Sequence, residues 1–295
     1  MKITVNAPAK INLTLSMVGR RADGYHLLDS VMQAVSLYDV ITVETTDGDA
    51  VTLTLHNTTL TPTPDNTALK AAAVFFRETG IPQTGLAITV EKHIPMQAGM
   101  GGGSADAAGV LVALDALFKA GLTTEQLCRM GEQIGADVPF CICGGTARAT
   151  GIGEVLAVLP AMMPCELVVA KPQAGISTAT AYRAVDAIEW GAGEPSDRAE
   201  QAIRTGDLTA LAGALDNDFE RAYLLPEVAA IQQAAQANGA LGCRMTGSGS
   251  AVYALCGDEP TAAAIAAAIA KACPDVAVYR CQPIETGPVI VAKEN

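Results

Sequence analysis

Hydrophobic and polar positions alternate over the start of the chain: Ile3, Val5 and Ala7 are spaced by polar residues, and Ile11, Leu13 and Leu15 resume the pattern after Pro8. A repeat of two puts every second side chain on one face of a strand, so this spacing predicts two strands joined by a turn at Pro8. Val31–Leu37, Val40–Val43 and Val51–Leu55 predict further strands, with Asp47-Gly48 marking a hairpin turn. The period then changes. Asp65 or Asn66 predicts the cap of a helix running to about Glu78 and stopped by Gly80 and Pro82, after which Leu86, Ile88 and Val90 predict one more strand.

Beyond the segment Pro95–Ala105, Val110, Leu111, Leu114 and Leu117 fall on one stripe of a helix that Gly121 ends. Thr123 and Gln126 have capping-box spacing and start a second helix that stops near Gly135. Ala136-Asp137-Val138-Pro139 reads as a turn into an apolar strand, Val138–Cys143. The second half predicts strands at Leu167–Ala170, Ala251–Cys256 and, last, Val276–Gln282. Helices are expected over about Arg198–Leu215, Pro226–Asn238 and Glu259–Ala272, with a loop at Gly191–Ser196 and a Gly/Ser turn at Met245–Gly249. Such alternation predicts an α+β layer with helices on one face. The change of texture places a domain boundary near Pro160, giving domains 1–160 and 161–295.

Composition narrows the class. Half of the 295 residues are apolar and 17% are charged, which excludes a disordered or collagen-like chain. The longest apolar run, Ala262 to Ala270, is far below the ~20 residues that span a bilayer. Met1–Met17 has no unbroken apolar block of the secretory kind, so a cytoplasmic protein without membrane association is expected. A net charge of −12 argues against nucleic acid as a partner but leaves small anions open, because a helix terminus and one or two lysines hold those locally. Eight cysteines are too sparse for a disulfide scaffold, and Cys141 and Cys143 read as small apolar residues of the expected buried strand.

The densest chemical signal is Gly99-Met-Gly-Gly-Gly-Ser104, immediately before a helix. Glycine lets backbone amides approach a ligand, and the helix start adds unpaired N–H donors and partial positive charge, an arrangement suited to phosphate. The lysine of a Walker A loop is missing. The position after several antiparallel-looking strands does not suit a dinucleotide fingerprint, and a protein-kinase loop does not feed a helix. Two further groups stand out. Lys10 and Asn12 share one side of an otherwise apolar strand, and Asp137 places a carboxylate before an apolar segment.

Pro8-Ala-Lys-Ile-Asn12, Arg21-Ala-Asp-Gly-Tyr-His26, Pro95–Ala105, Gly135-Ala-Asp-Val-Pro139, Asn217-Asp218 and Thr246-Gly-Ser-Gly249 occur in this order. Together they resemble the GHMP kinases, named for galactose, homoserine, mevalonate and phosphomevalonate. The resemblance implies a two-domain α+β fold, with an N-terminal domain like domain 2 of ribosomal protein S5 and a ferredoxin-like C-terminal domain. It implies ATP as phosphoryl donor with Mg²⁺, and, through Tyr25 and His26, an acceptor of the cytidyl-diphospho-methylerythritol type phosphorylated on its 2-hydroxyl. A homoserine or mevalonate kinase, or a non-catalytic nucleotide-gated relative, are the alternatives. Carried over by position, Lys10 and Asp137 are the catalytic pair. Pro95, Met96, Gln97, Ala98, Gly99, Met100, Gly101, Gly102, Gly103, Ser104 and Ala105 form the ATP loop, with Ala98 where the family usually has glycine. Tyr25, His26 and Tyr182 are implied cytosine contacts, Asn12 and Thr178 contacts to the methylerythritol end, and Lys92 a phosphate contact. Ser104 is an implied magnesium ligand, the remaining metal ligands and the oligomeric state being left open. Trp190 reads as a packing residue.

Overall fold

Ile3, Val5, Ala7, Ala9 and Ile11 are completely buried, the inward row of the first strand. The computed structural model describes residues 1–191 and 193–294. The first half comprises β1 (Lys2–Asn12), β2 (Thr14–Arg20), β3 (His26–Thr46), β4 (Val51–His56), α1 (Thr67–Thr79), β5 (Gly85–Glu91), α2 (Gly102–Phe118), α3 (Thr124–Glu132), α4 (Val138–Cys143), β6 (Thr146–Thr150) and β7 (Val155–Val158). The second comprises β8 (Glu166–Lys171), α5 (Thr178–Val185), α6 (Glu194–Thr205), α7 (Leu208–Ala214), β9 (Asp216–Asn217), α8 (Asp218–Ala222), α9 (Pro226–Ala237), β10 (Gly242–Met245), β11 (Val252–Cys256), α10 (Glu259–Ala272), β12 (Ala277–Cys281) and β13 (Val289–Glu294).

The long strand β3 organises the first sheet, pairing antiparallel with β1, β2, β5 and β6 along its length. The second sheet has the antiparallel order β10-β11-β8-β12. Its side chains alternate between two cores. Leu167, Val169, Tyr253 and Leu255 join the core shared with the first sheet, while Val168, Ala170, Val252 and Ala254 pack with residues of α9 and α10. Tyr253 is fully buried and donates its hydroxyl to the Leu13 carbonyl at 3.2 Å, tying the second sheet to the first.

Several local expectations change. Pro8 makes no turn; β1 runs through it, and a register shift between Pro8 and Ala9 takes up the irregularity, as proline in a strand requires. Gly48 is left-handed at φ 88°, but the Asp47-Gly48 turn does not close a hairpin. Instead β5, buried at Leu86, Ile88 and Val90, lies against β3, and half-exposed β4 adds parallel on its outer edge through the α1 crossover. Val138–Cys143 is the helix α4, not a strand: Pro139 sits in its first turn, where a missing N–H costs nothing, and six apolar residues carry no decisive period.

The helix expected over Arg198–Leu215 is broken by left-handed Gly206 into α6 and α7. Only part of the Gly191–Ser196 loop holds, because α6 begins at Glu194; residue 192 lies outside the described residues. Val276–Gln282 is not the last strand. β13 returns to pair with β1, so the chain that leaves the first sheet near Pro160 ends in it. The caps at Asn66 and Thr123 and the extent of α10 match their sequence signals.

Candidate active site

Alternation along β1 turns Lys10 and Asn12 away from the Ala9–Ile11 face. The Lys10 ammonium donates to Asn12 Oδ1 at 2.6 Å and lies 3.4 Å from Asp137 Oδ2. Asn12 is itself oriented, donating Nδ2 to the Ser30 hydroxyl at 2.8 Å, which donates onward to the Thr14 carbonyl. Asp137 is the N-cap residue of α4, yet its side chain accepts no capping hydrogen bond, so the carboxylate stays directed at the lysine. The lysine side chain is 5% exposed and the aspartate 33%, so the pair stands at the wall of a cavity rather than inside the core.

That cavity, about 970 Å³, is roofed by the glycine loop; Pro95 through Ser104 line it, and Ala105 is turned into the core behind. Gly101 caps α2 at φ 71° and its α-carbon lies against Lys10, where a Cβ would come within 3.1 Å of Cγ. The Lys10 amide donates to the Met100 carbonyl at 3.1 Å, docking the loop on β1. Gly102, Gly103 and Ser104 carry the α2 amides that lack upstream carbonyls, the donors a phosphate would take. Ala98 is compatible with the turn because the left-handed residues are Gln97 and Gly99.

The second Gly/Ser turn completes the loop's support. Asn217 donates to the carbonyls of Met245 and Gly247 at 2.6 and 2.9 Å, shaping the turn. Thr246 Oγ1 accepts from the Asn12 amide at 3.0 Å and reaches the Gly99 carbonyl at 3.3 Å. Amides of Ser250 and Ala251 donate to carbonyls of Gln97 and Ala98. One threonine thus joins the strand of the amine, the glycine loop and the second sheet.

The implied acceptor contacts divide. Asn12, Thr178, Tyr182 and Lys92 line the cavity, with Phe219 edge-on to Tyr182 at 4.9 Å. Tyr25 is 61% exposed and lies outside the lining. His26 is buried behind Tyr182, ring centroids 4.9 Å apart, with Nε2 2.7 Å from Asp186 and Trp190 packed edge-on. Trp190 Nε1 donates to the Val185 carbonyl, the packing role read from its sequence setting.

Two aspartates escaped the sequence reading. Lys92 is bridged to buried Asp39 and, at 2.7 Å, to Asp106 on α2. Asp39 also accepts from the amides of His93 and Ile94, so this cluster staples the entry of the glycine loop to the helix leaving it. Burial works against the Lys92 ammonium, but Asp106 and Asp39 outweigh it and hold the group above its ordinary value. Burial, reinforced by Asp39, pushes the Asp106 carboxyl up to about 7, and its Oδ1 has no hydrogen-bond partner.

A carboxyl whose folded value is raised favours the protonated folded state. Its stabilisation is complete below the unfolded value and is lost as pH rises through about 7. The melting temperature of Asp106→Asn, relative to the native chain, should therefore increase by roughly 5 °C between about pH 5 and about pH 8. A pH-independent difference would show that Asp106 does not titrate there.

The chain is similar to known proteins over most of its length. The model of the GHMP kinases N terminal domain matches residues 66–145, and that of the GHMP kinases C terminal matches residues 199–275. A 4-diphosphocytidyl-2-C-methyl-D-erythritol kinase of Moorella thermoacetica is 41% identical over 283 residues, covering 94% of this chain and 98% of the relative. One of Desulfitobacterium hafniense is 44% identical, covering 90% and 91%. A crystal structure of a 4-(cytidine 5'-diphospho)-2C-methyl-D-erythritol kinase superposes with TM-score 0.79 at 34% identity, covering 96% of this chain and 99% of the other. A homoserine kinase of Cytophaga hutchinsonii superposes with TM-score 0.82 at 20% identity over 98% and 97%, a likeness of fold alone.

Proposed function

The chain belongs to the GHMP kinase family, and from that premise we propose that it transfers the γ-phosphoryl group of ATP to the 2-hydroxyl of 4-diphosphocytidyl-2-C-methyl-D-erythritol. The supporting observation is the 3.4 Å approach of Lys10 Nζ to Asp137 Oδ2 within the cavity that the glycine loop roofs. Relatives that carry this substrate in their names, at 41% and 44% identity, support the choice of acceptor over a homoserine or mevalonate type.

In this reading the Gly102–Ser104 amides hold the ATP phosphates and leave the γ-phosphorus facing Lys10 and Asp137. A carboxylate cannot strip an alcohol outright. In a loose phosphoryl-transfer transition state, however, the nucleophile sheds its proton late, when its acidity has risen. Asp137 orients the acceptor hydroxyl in line and takes that proton as the O–P bond forms. Lys10, fixed by Asn12, offsets the charge on the transferred group. Thr178 contacts the methylerythritol end and the Tyr182 face holds the cytosine, and that remote base binding positions the reacting oxygen.

Among the described residues no three His, Cys, Asp or Glu side chains gather as a metal cage. Magnesium ordinarily takes one or two protein oxygens and otherwise phosphates and water. The cavity offers such hard donors in the Ser104 hydroxyl and the Asp137 carboxylate, and the ion would neutralise phosphate charge there. We further propose a cytoplasmic setting and small-molecule partners, the net charge of −12 disfavouring nucleic acid; among the described residues no helix is long and apolar enough to cross a bilayer.

The acceptor is tested by ADP release from ATP with each candidate alcohol. The cytidyl-diphospho acceptor should exceed homoserine and mevalonate in kcat/KM by at least about 10³, the scale on which sites built for polar groups discriminate. Comparable rates with homoserine or mevalonate would overturn the assignment. Tyr182→Ala should raise KM for this acceptor about tenfold, the loss of one base-stacking face, and leave KM for ATP unchanged. Equal effects on both substrates would contradict a role in the acceptor subsite.

A further inference from the structure

We propose that Lys171 binds a phosphate group of a bound substrate, as the cavity lysine without a carboxylate partner among the described residues. The inference rests on the cavity taking two phosphate-bearing substrates. Among the described residues three cationic side chains line it: Lys10, Lys92 and Lys171. Lys10 is engaged with Asn12 and Asp137, and Lys92 is bridged by two buried carboxylates.

Lys171 differs. No carboxylate among the described residues lies within 4.0 Å of its ammonium, which donates instead to the carbonyls of Pro172 at 2.5 Å and Ala174 at 3.1 Å. Two carbonyls use two N–H groups and leave the charge unneutralised and a third donor over. The residue is only 8% exposed, so water does little to replace a counter-ion, and burial draws its pKa below the ordinary lysine value.

Its position suits a phosphate. Lys171 ends β8 and lines the same cavity as Lys10 and Asp137. The Ala174 carbonyl that it binds also accepts from Ser250, and the next residue, Gly175, lies against the Gln97 side chain of the glycine loop. The ammonium therefore stands on the second-sheet side of the loop that cradles phosphate. Polyphosphate entering a chain of net charge −12 needs such a local cation. Pyrophosphate groups belong to both ATP and the cytidyl acceptor, and either could be the one held.

The test is calorimetric titration of the native chain, Lys171→Gln and Lys171→Arg with inorganic pyrophosphate, CDP, cytidine, ATP and adenosine. Glutamine keeps an N–H donor for the carbonyls but no charge; arginine keeps the charge. Lys171→Gln should weaken pyrophosphate binding at least about tenfold, the scale of one charge-assisted contact, leaving cytidine and adenosine unaffected, and Lys171→Arg should retain most of the affinity. A matching loss for CDP assigns the contact to the acceptor's diphosphate, and a loss for ATP assigns it to the donor. Unchanged affinity for all three phosphate ligands, or equal losses for CDP and cytidine, would overturn the proposal.

The pyrophosphate arm needs no cytidine site, so failure of the acceptor reading, seen as native chain that binds neither CDP nor cytidine, is separable. Should the glutamine variant not fold, reductive methylation of the native chain decides the matter. Pyrophosphate should protect Lys171 from modification, and an unprotected Lys171 at saturating ligand would contradict the assignment.

Discussion

Asp137→Asn should lower turnover by at least ~10²-fold while leaving ATP affinity within about twofold of the native value. The amide keeps the size and one acceptor oxygen of the carboxylate, so the acceptor still fits. What is lost is the group that receives the hydroxyl proton as the new bond forms, an interaction made only on the way to the transition state. The deficit should therefore fall on kcat more than on either KM. Some stability is lost as well, because Lys10, with a side chain only 5% exposed, then keeps Asn12 as its side-chain partner, so turnover is compared well below the melting temperature. Near-native turnover in this variant would remove Asp137 from the chemistry.

Gly99→Ala should weaken ATP binding by about 10²-fold, equivalent to losing one or two charge-assisted amide contacts. Gly99 sits at φ 72°, and a Cβ there would overlap the Thr246 carbonyl oxygen. That oxygen is backbone and cannot swing aside, so the glycine loop and the second turn must separate. Gly121 supplies the control: its φ is 69°, but a Cβ there meets nothing within 4 Å. Gly121→Ala carries the left-handed cost alone, about 1–2 kcal/mol, and should leave ATP affinity intact. Equal loss in both variants, or none in Gly99→Ala, would show that loop contact does not shape the nucleotide site.

The legible parts of this protein are those whose information is local. Two-residue alternation marks β1 and β5, the cap at Asn66 and the stop at Gly80 bound α1, and the Thr123 capping box starts α3. The glycine loop is readable because close backbone approach demands one residue type. What alternation does not carry is partner choice. Asp47-Gly48 has hairpin chemistry, yet β5 brings a more apolar face to β3 than half-exposed β4 could. The six residues of α4 are shorter than two helical turns, and buried on nearly every side, so no period distinguishes helix from strand.

The same division runs through the cavity. Lys10, Asn12 and Asp137 stand out as polar residues against apolar neighbours, and the fold brings them together. Asp39, Asp106 and Lys171 look like ordinary surface charges in sequence; only tertiary packing buries them at 0%, 5% and 8% exposure. The buried alternation of Asp39 within the apolar β3 pattern was the one available hint. Thr246 and Asn217 were visible as motif members, but their work, joining two turns through hydrogen bonds over long sequence separations, has no local signature.

A crystal structure with the cytidyl-diphospho acceptor and a non-transferring ATP analogue bound together tests the central assignment most directly. The acceptor's 2-hydroxyl should lie within hydrogen-bond reach, about 2.6–3.2 Å, of the Asp137 carboxylate, beside the Lys10 ammonium and in line with the γ-phosphorus held under Gly102–Ser104. An acceptor bound with that oxygen facing away from both side chains, or a triphosphate seated outside the glycine loop, would contradict it.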